Sequence, residues 1–205
     1  MVKNSHGHPV LNEAPINLQR TLRADTLRQA AKVEEAGCTV FLGGPYIDPD
    51  NEGKSTYKPS ANLRYQLFHR LCKRNWTISL GEYRELIEAH GGVLGPHNNS
   101  AAAELKHATD VADAVIMIVD SPGSFAEIGA FSMVEPICGK MLVLSSTEHS
   151  ASKGYVATGP ILMSNAFGAT IEYLDFSDID AVEAVVGSYV DKHIQLRTLR
   201  QIVKR

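Results

Sequence analysis

The 205 residues of the chain fit one α/β domain, and a composition of 44% hydrophobic and 21% charged residues excludes a disordered or repetitive polymer as a description of the whole chain. A formal net charge of −3 excludes a protein whose main task is to coat nucleic acid. Three cysteines, Cys38, Cys72 and Cys138, occur without a C-x-x-C pair, so neither a disulfide framework nor a zinc cage is predicted and a cytoplasmic location is expected.

The first part of the chain is predicted to be a flexible polar tail over residues 1–16, followed by a single domain over residues 17–205. The tail lacks the apolar core of a signal peptide. Apolar residues at helical spacing predict a first helix over residues 18–37. A buried strand over residues 39–42 and a long polar loop over residues 48–60 follow. No run of about 18 apolar residues occurs, so we expect no membrane partner.

Apolar periodicity predicts alternating helices and strands over the rest of the chain. The least ambiguous strand covers residues 114–119, a continuous apolar run between two aspartates. The last helix begins near Ile179 and ends in basic residues, which suit a helix C-terminus. The other predicted helices cover residues 63–71, 83–89, 101–111 and 124–133, and the other predicted strands cover residues 76–80, 141–145 and 169–174.

This alternation predicts an α/β fold, a Rossmann-like or flavodoxin-like parallel sheet of about five strands with helices on both faces. In such sheets, ligands bind beyond the carboxyl ends of the strands. We therefore expect the chemistry to lie just after Leu42, Leu80, Val119 and Ser145.

The segment after the strongest strand combines a turn of small residues with a predicted helix start. That arrangement leaves backbone N–H groups that bind phosphate or another anionic group. Asp120, Ser121, Gly123 and Ser124 are therefore predicted to contact a ligand, with the two serine hydroxyls as donors. Glu127 lies one turn into the helix, where a carboxylate could reach the anomeric carbon of a bound sugar. It is the candidate nucleophile.

A structural interpretation of the same residues has about equal weight. Ser124-x-x-Glu127 matches a capping box, in which Glu127 accepts the backbone N–H of its own cap residue. Gly129 is interpreted as permitting close packing of this helix on the sheet.

A second loop at the same edge of the sheet is Gly43-Gly44-Pro45-Tyr46, after the first strand. Bare backbone in this loop would let a ribose or a phosphate approach closely. An ordinary turn is the alternative interpretation.

Further polar side chains precede the strongest strand. Asn98, Asn99 and Glu104 could hold sugar hydroxyls or a leaving base, and a solvated helix start is the alternative. Arg64 and Arg70 could contact phosphates, although a solvated helix face is the default interpretation.

Several common ligand motifs are absent from the sequence. Gly53-Lys54-Ser55 resembles the end of a P-loop, but Asp48 stands where the first glycine would be. No G-x-G-x-x-G motif and no H-E-x-x-H pair occurs, so neither a bound dinucleotide cofactor nor a metal centre is predicted.

Residues 112–131 resemble the signature of the nucleoside 2-deoxyribosyltransferase-like superfamily. They are especially similar to its N-glycosidase effector branch from bacterial retron anti-phage systems, whose S-P-G-S-F-x-E-L-G-A-F-S motif is matched by residues 121–132. A strand and a Gly-Pro turn of that branch are matched by residues 141–144 and by Gly159-Pro160. The resemblance covers roughly residues 38–175.

The resemblance implies that Glu127 is the glycosyl nucleophile, that Gly43, Gly44 and Pro45 form a turn of the site, and that Glu104 is a second acidic residue there. It also implies an N-glycosidase that cleaves the base–sugar bond of NAD or a (deoxy)nucleotide in anti-phage defence. Retron effectors carry a large C-terminal extension, whereas the sequence here ends after one more helix, so a regulatory partner encoded in the same operon is expected in place of a reverse transcriptase.

Two alternatives stay open: a non-catalytic, SLOG-type nucleotide sensor and a nucleoside 2-deoxyribosyltransferase. No histidine acid stands beside the motif, which favours NAD, because nicotinamide leaves as a neutral molecule without a general acid. A homo-oligomer is also expected, since the amphipathic last helix could pack on a second copy of the chain.

Overall fold

The computed structural model describes residues 37–50, 58–90 and 99–203. The predicted tail and first helix lie outside these residues, so the predicted boundary between residues 16 and 17 stays a prediction. Most of the predicted polar loop, residues 51–57, and the segment 91–98 with Asn98 also lie outside them.

The described part of the chain alternates strands and helices, as the periodicity predicts. The strands are β1 (Cys38–Gly43), β2 (Trp76–Ser79), β3 (Ala114–Ile118), β4 (Met141–Ser146) and β5 (Thr170–Leu174). The helices are α1 (Pro59–Leu71), α2 (Arg84–His90), α3 (Ser100–Asp110), α4 (Pro122–Phe131), α5 (Glu135–Cys138), α6 (Leu162–Ala166) and α7 (Ile179–Val203). A 3₁₀ turn, Thr147–His149, and a π-helical turn, Ala157–Ile161, lie between β4 and α6.

The five strands form one sheet in the order β2-β1-β3-β4-β5, and all the strand pairs are parallel. This is the strand order of flavodoxin-like folds, so the predicted fold class is confirmed. The order reverses between β1 and β3, where the helices that follow the two strands pass to different faces of the sheet. In such folds the crevice at this switch point is the usual ligand site.

Both faces of the sheet are covered, which explains why β3 is a continuous apolar run: its five residues are all fully buried. Successive residues of a strand point to opposite faces, so each strand contributes to two cores. One core contains Leu42 and Ile116 together with residues of α1 and α7. The other contains Phe41 and Met117 together with residues of α3, α4 and α5.

The long helix α7 packs along the first of these cores through buried valines such as Val182 and Val190. Near its end, Arg197 Nη1 donates a hydrogen bond to the Asp113 carboxylate at 2.7 Å, which ties the helix to the amino-terminal edge of β3. Among the helices that the structure describes, none is long and apolar enough to cross a membrane.

The structure corrects one predicted boundary that matters for the site. α4 begins at Pro122, two residues before the predicted start at Ser124. Proline is well suited to the first position of a helix, and Ser121 provides the cap in front of it.

Candidate functional site

Glu127 lies at the switch point of the sheet. It is on α4, and its Oε2 atom is 3.1 Å from the place that a Cβ atom on Gly43 would occupy, at the end of β1. The Gly44 backbone N–H donates a hydrogen bond to the carboxylate. Oε2 is buried and has no hydrogen-bond partner among the described residues. The carboxylate of Glu127 is therefore directed at the β1 loop and keeps one oxygen uncommitted.

The cap of α4 is built from two serines and does not involve Glu127. Ser121 Oγ accepts the backbone N–H of Ser124 at 3.1 Å, and Ser124 Oγ accepts the N–H of Ser121 at 2.8 Å and of Asp120 at 3.0 Å. The interpretation of Glu127 as a capping-box residue is therefore wrong. The same bonds commit the hydroxyl of Ser124, which is fully buried, to the helix start, whereas Gly123 is exposed there.

Gly43, which ends β1, and Gly44, which follows it, leave the room that the side chain of Glu127 fills. A Cβ atom on Gly43 would collide with the side chain of Met117 in β3. Gly44 has φ of +144°, which non-glycine residues rarely adopt, and a Cβ atom there would lie 3.0 Å from the Ile118 carbonyl oxygen. Close approach of backbone, strand and carboxylate explains why this loop is made of glycines.

Glu104 reaches the same edge of the sheet from α3. Its carboxyl group packs against Gly81, just after β2, so closely that a side chain at Gly81 would collide with it. Burial and, after it, the charges of Glu127 and Glu82 raise the pKa of Glu104 to about 7, against an opposing effect of Arg64. A solvated helix start is thus the wrong interpretation of Glu104.

The pKa values of both carboxyl groups are raised above that of an ordinary glutamate. Burial also raises the pKa of Glu127, and Glu82 adds to that, while Arg64 and the Gly44 N–H lower it. The charge of Glu127 is also a cause of the raised pKa of Glu104, so the two carboxyl groups titrate as a coupled pair. An ionised carboxylate and a protonated carboxyl group in one site are the arrangement that glycoside chemistry uses.

Arg64 is a central residue of the site, and the sequence interpretation named it but missed its role. Its side chain is 1% exposed, and the guanidinium donates hydrogen bonds to the carbonyl oxygens of Leu42 at 2.6 Å and Pro45 at 2.8 Å. Nη2 also donates to Glu82 Oε2 at 2.9 Å. Both interpretations of Arg64, a solvated face and a phosphate contact, are therefore wrong. The available signal was its position on the apolar stripe of α1, three residues before Leu67.

Other predicted site residues lie further from the two carboxyl groups. Asn99 is exposed and caps α3 by accepting the Ala102 N–H at 2.9 Å, as the structural alternative predicts. Tyr46 is 70% exposed beyond the glycine turn. Asp120 lies at the other side of the α4 start, with its Oδ1 atom 3.7 Å from His149 Nε2.

Two smaller predictions are also settled by the structure. Arg70 lies at the surface, where it pairs with Asp180 and Glu183 of α7. Its charge is therefore used between two helices and not for a phosphate. A Cβ atom on Gly129 would meet nothing within 4 Å, so close packing on the sheet does not explain that glycine.

Two cavities border the sheet edges. One, of about 660 Å³, lies at the amino-terminal edge of the sheet, beside Asp113, Lys140 and Arg197. This is the edge opposite to the one that holds Glu127. The other, of about 230 Å³, lies at the carboxyl-terminal edge. Val119, which follows β3, lines it together with Ser145 and Tyr173, which lie near the ends of β4 and β5. In the part of the chain that is described, no group of His, Cys, Asp or Glu side chains has the geometry to hold a metal ion.

The sequence was also compared with known protein families. A family model described as STM3845 retron effector protein matches residues 83–201. The chain belongs to this retron effector family. The matched region contains both Glu104 and Glu127, and membership indicates a role in anti-phage defence. No curated protein is similar enough to the chain to count as a match.

Proposed function

We propose that this retron effector is an N-glycosidase that cleaves the base–sugar bond of NAD or a (deoxy)nucleotide, with Glu127 as the nucleophile. The observation that carries the proposal is that Glu127 and Glu104 reach the same edge of the sheet and interact electrostatically, with burial raising the pKa of each carboxyl group. The similarity to the nucleoside 2-deoxyribosyltransferase-like superfamily supports the same chemistry.

The first step is a displacement at the anomeric carbon. A Glu127 oxygen forms a bond to C1′, and the bond from C1′ to the base nitrogen breaks with its electron pair moving to the base. Oε2 of Glu127 makes no hydrogen bond within the described residues, and because this oxygen is buried the side chain has to turn before it can attack. Arg64 favours the ionised form of this carboxylate, because its positive charge opposes the rise that burial causes in the pKa of Glu127.

Glu104 supplies the proton that a poor leaving group needs. A purine or pyrimidine leaves more easily when its nitrogen is protonated, and a carboxyl group with a pKa of about 7 is well matched to that transfer at neutral pH. In the second step, a water oxygen attacks C1′, the bond to Glu127 breaks and the ionised Glu104 takes the water proton. The substrate range therefore extends beyond NAD, whose nicotinamide leaves without a general acid.

The test is release of free base from a panel of NAD, NADP and (deoxy)nucleotides, followed by chromatography, with any operon partner supplied. Glu127→Gln keeps the shape of the side chain and removes the charge that attacks. We expect it to lower base release by on the order of 10³-fold or more while folding and ligand binding persist. The matched control is Glu135→Gln, the same change at an exposed position at the start of α5.

The other outcomes distinguish the alternatives. Ligand binding without base release in the wild-type protein would identify a nucleotide sensor. Transfer of the sugar to a free base in preference to water would identify a deoxyribosyltransferase. Base release by Glu127→Gln at the rate of Glu135→Gln would remove Glu127 from the mechanism.

A further inference from the structure

The cavity of about 660 Å³ at the amino-terminal edge of the sheet takes no part in the steps above. Asp113, Lys140 and Phe167, which come shortly before β3, β4 and β5, line it, and the last turns of α7 form one wall. Small-molecule sites usually measure roughly 300–1,000 Å³. This space, which we call the basal cavity, is therefore large enough for a small molecule of ordinary size.

Positive charge dominates the lining of the basal cavity. Its cations are Lys140, from the segment before β4, and Arg197 and Arg200 from α7. Its carboxylates are Asp113 and Glu135, and Asp113 is already paired with Arg197 at 2.7 Å. Three cations face two carboxylates, so the lining favours an anionic ligand.

Two of the cations keep donors that no described residue uses. Lys140 Nζ donates to the carbonyl oxygens of Thr109 at 2.9 Å and Ala112 at 2.6 Å. An ammonium group has three donors, so these two bonds hold the group in place and leave one donor for a ligand. Arg200 is exposed and forms no ion pair within the described residues. Its guanidinium is therefore available to an anion.

His193, which also lines the cavity, indicates the sign of the electrostatic potential there. Burial and, after it, the charges of three nearby cations lower the pKa of His193, against an opposing effect of Asp113. These cations are Lys192, Arg200 and Lys140. Two of the three belong to the lining, so the imidazole is in a positive potential that a bound anion would reduce.

Apolar side chains form the rest of the cavity wall. Phe167 is 38% exposed and Leu196 is 36% exposed, so both present apolar surface to a ligand. An aromatic ring such as that of Phe167 packs well against a second ring. The guanidinium of Arg200 matches the geometry of a phosphate or a carboxylate, and a phosphate monoester carries nearly two negative charges at neutral pH. Several cations beside an aromatic ring therefore suit a phosphate that carries an apolar group.

We propose that the basal cavity binds an organic phosphate, with the phosphate held by Lys140 and Arg200 and the apolar group against Phe167. The class of ligand is a phosphate monoester of an aromatic or otherwise apolar small molecule. The site lies at the edge of the sheet opposite to Glu127. It is therefore independent of the proposed reaction, and neither proposal depends on the outcome of the other.

Phenyl phosphate is the probe for this site, because it combines a phosphate with one aromatic ring and contains no N-glycosidic bond. Calorimetric titration of the full chain measures its Kd and that of inorganic phosphate, and we expect phenyl phosphate to bind more tightly. An NMR titration, with His193→Gln to assign the signals, measures the pKa of His193. Bound phenyl phosphate should raise this pKa, because a nearby anion favours the charged imidazolium.

Two variants separate the contributions of charge and ring. Arg200→Gln should weaken binding of both probes by at least about fivefold, because it removes a charge-assisted hydrogen bond. Phe167→Ala should weaken binding of phenyl phosphate by at least about threefold and leave that of inorganic phosphate unchanged. The control is Lys153→Gln, which removes an exposed positive charge in the loop after β4 and should bind both probes as wild type does.

No binding of phenyl phosphate to the wild-type protein, or equal affinities in Arg200→Gln and Lys153→Gln, would overturn the inference. An unchanged pKa of His193 at saturating phenyl phosphate would also overturn it, because the ligand would then lie elsewhere. The last arm is a single-stranded oligonucleotide. If it binds more tightly than phenyl phosphate and loses that affinity in Arg200→Gln, the surface binds nucleic acid and the small-molecule site is wrong.

Discussion

Glu104 differs from an ordinary surface glutamate because it is surrounded by other carboxylates and shielded from water. Burial and the charges of Glu127 and Glu82 raise its pKa from 4.5 to about 7. Its proton therefore leaves in the pH range in which the cell operates. At the scale of single residues, this titration is the property of the site that is simplest to measure.

The pKa of Glu104 predicts how its replacement changes stability with pH. The folded chain holds the proton to higher pH than the unfolded chain, so the stabilising contribution is complete below about pH 4.5 and is lost as the pH rises through about 7. Glu104→Gln should match wild type near pH 5 and exceed its free energy of unfolding above about pH 8. Urea denaturation at the two pH values measures this difference.

The control for that experiment is again Glu135→Gln, whose carboxylate is exposed. It should change the free energy of unfolding by similar amounts at both pH values. A Glu104→Gln variant whose stability relative to wild type is the same at pH 5 and pH 8 would show that Glu104 is ionised throughout.

At the scale of elements, Arg64 connects α1 to the loop after β1. Its guanidinium donates hydrogen bonds to the carbonyl oxygens of three residues at the end of β1 and in the loop after it, Leu42, Gly44 and Pro45. The same group pairs with Glu82 after β2. One buried cation therefore positions two loops and opposes the rise in the pKa of Glu104 and of Glu127.

Arg64→Met should have two separable effects. Loss of the buried cation leaves the Glu82 carboxylate and three carbonyl oxygens without their donor, and we expect a destabilisation of about 3 kcal/mol or more. The pKa of Glu127 should also rise, so the acidic limb of the kcat/KM profile should move to higher pH. Chemical denaturation and a pH–rate profile measure the two effects.

Arg70→Met is the matched control on the same helix. Its side chain is 34% exposed and its ion pairs lie at the surface, so the cost should stay within about 1 kcal/mol and the pH profile should not move. An Arg64→Met protein with an unshifted acidic limb would show that Arg64 acts on the fold alone. Arg64→Lys, which keeps the charge, allows the profile to be measured if the methionine variant does not fold.

The elements themselves were predictable, because burial on both faces makes each strand a short apolar run between polar turns. β3 is the strongest case, because a continuous apolar run of five residues has the length of a buried strand and is too short for an ordinary helix. The start of α4 was predicted two residues late, because Ser121 and Ser124 are both acceptable caps and only the hydroxyl contacts distinguish them.

The candidate site was only partly predictable. Glu127 and the glycines of the β1 loop could be predicted as site residues because they come just after two strands. The approach of Glu104 to Glu127 could not be predicted from the fold class alone, because it also depends on which face of α3 is turned toward the site. The roles of Arg64 and Glu82 could not be predicted from the sequence. Arg64 binds Glu82 and backbone carbonyl oxygens, and these partners are 18 or more residues away along the chain. Periodicity describes one element at a time and contains no information on such contacts.

At the scale of the whole molecule, membership of the retron effector family indicates anti-phage defence, and the proposed chemistry makes that defence depend on one carboxylate. In a host that carries the complete operon, Glu127→Gln should lower protection against phage to the level of a strain without the operon. Glu135→Gln should protect as wild type does. The efficiency of plating measures the difference, with protein levels checked by immunoblot. Full protection by Glu127→Gln would show that defence does not depend on Glu127.

The expected homo-oligomer and the expected operon partner remain predictions at this scale. Neither is needed to bring Glu104, Glu127, Gly43 and Gly44 together, since all four belong to the described part of one chain. A partner would therefore act by regulating access or activity at a site whose carboxyl groups one chain already supplies.

Mass spectrometry of the protein quenched in acid during turnover tests the nucleophile most directly. The account predicts a peptide that contains Glu127 and carries the added mass of the substrate's sugar moiety, and it predicts that this peptide is absent from Glu127→Gln. Base release by Glu127→Gln at the wild-type rate, with no sugar adduct on that peptide in the wild-type protein, would contradict it.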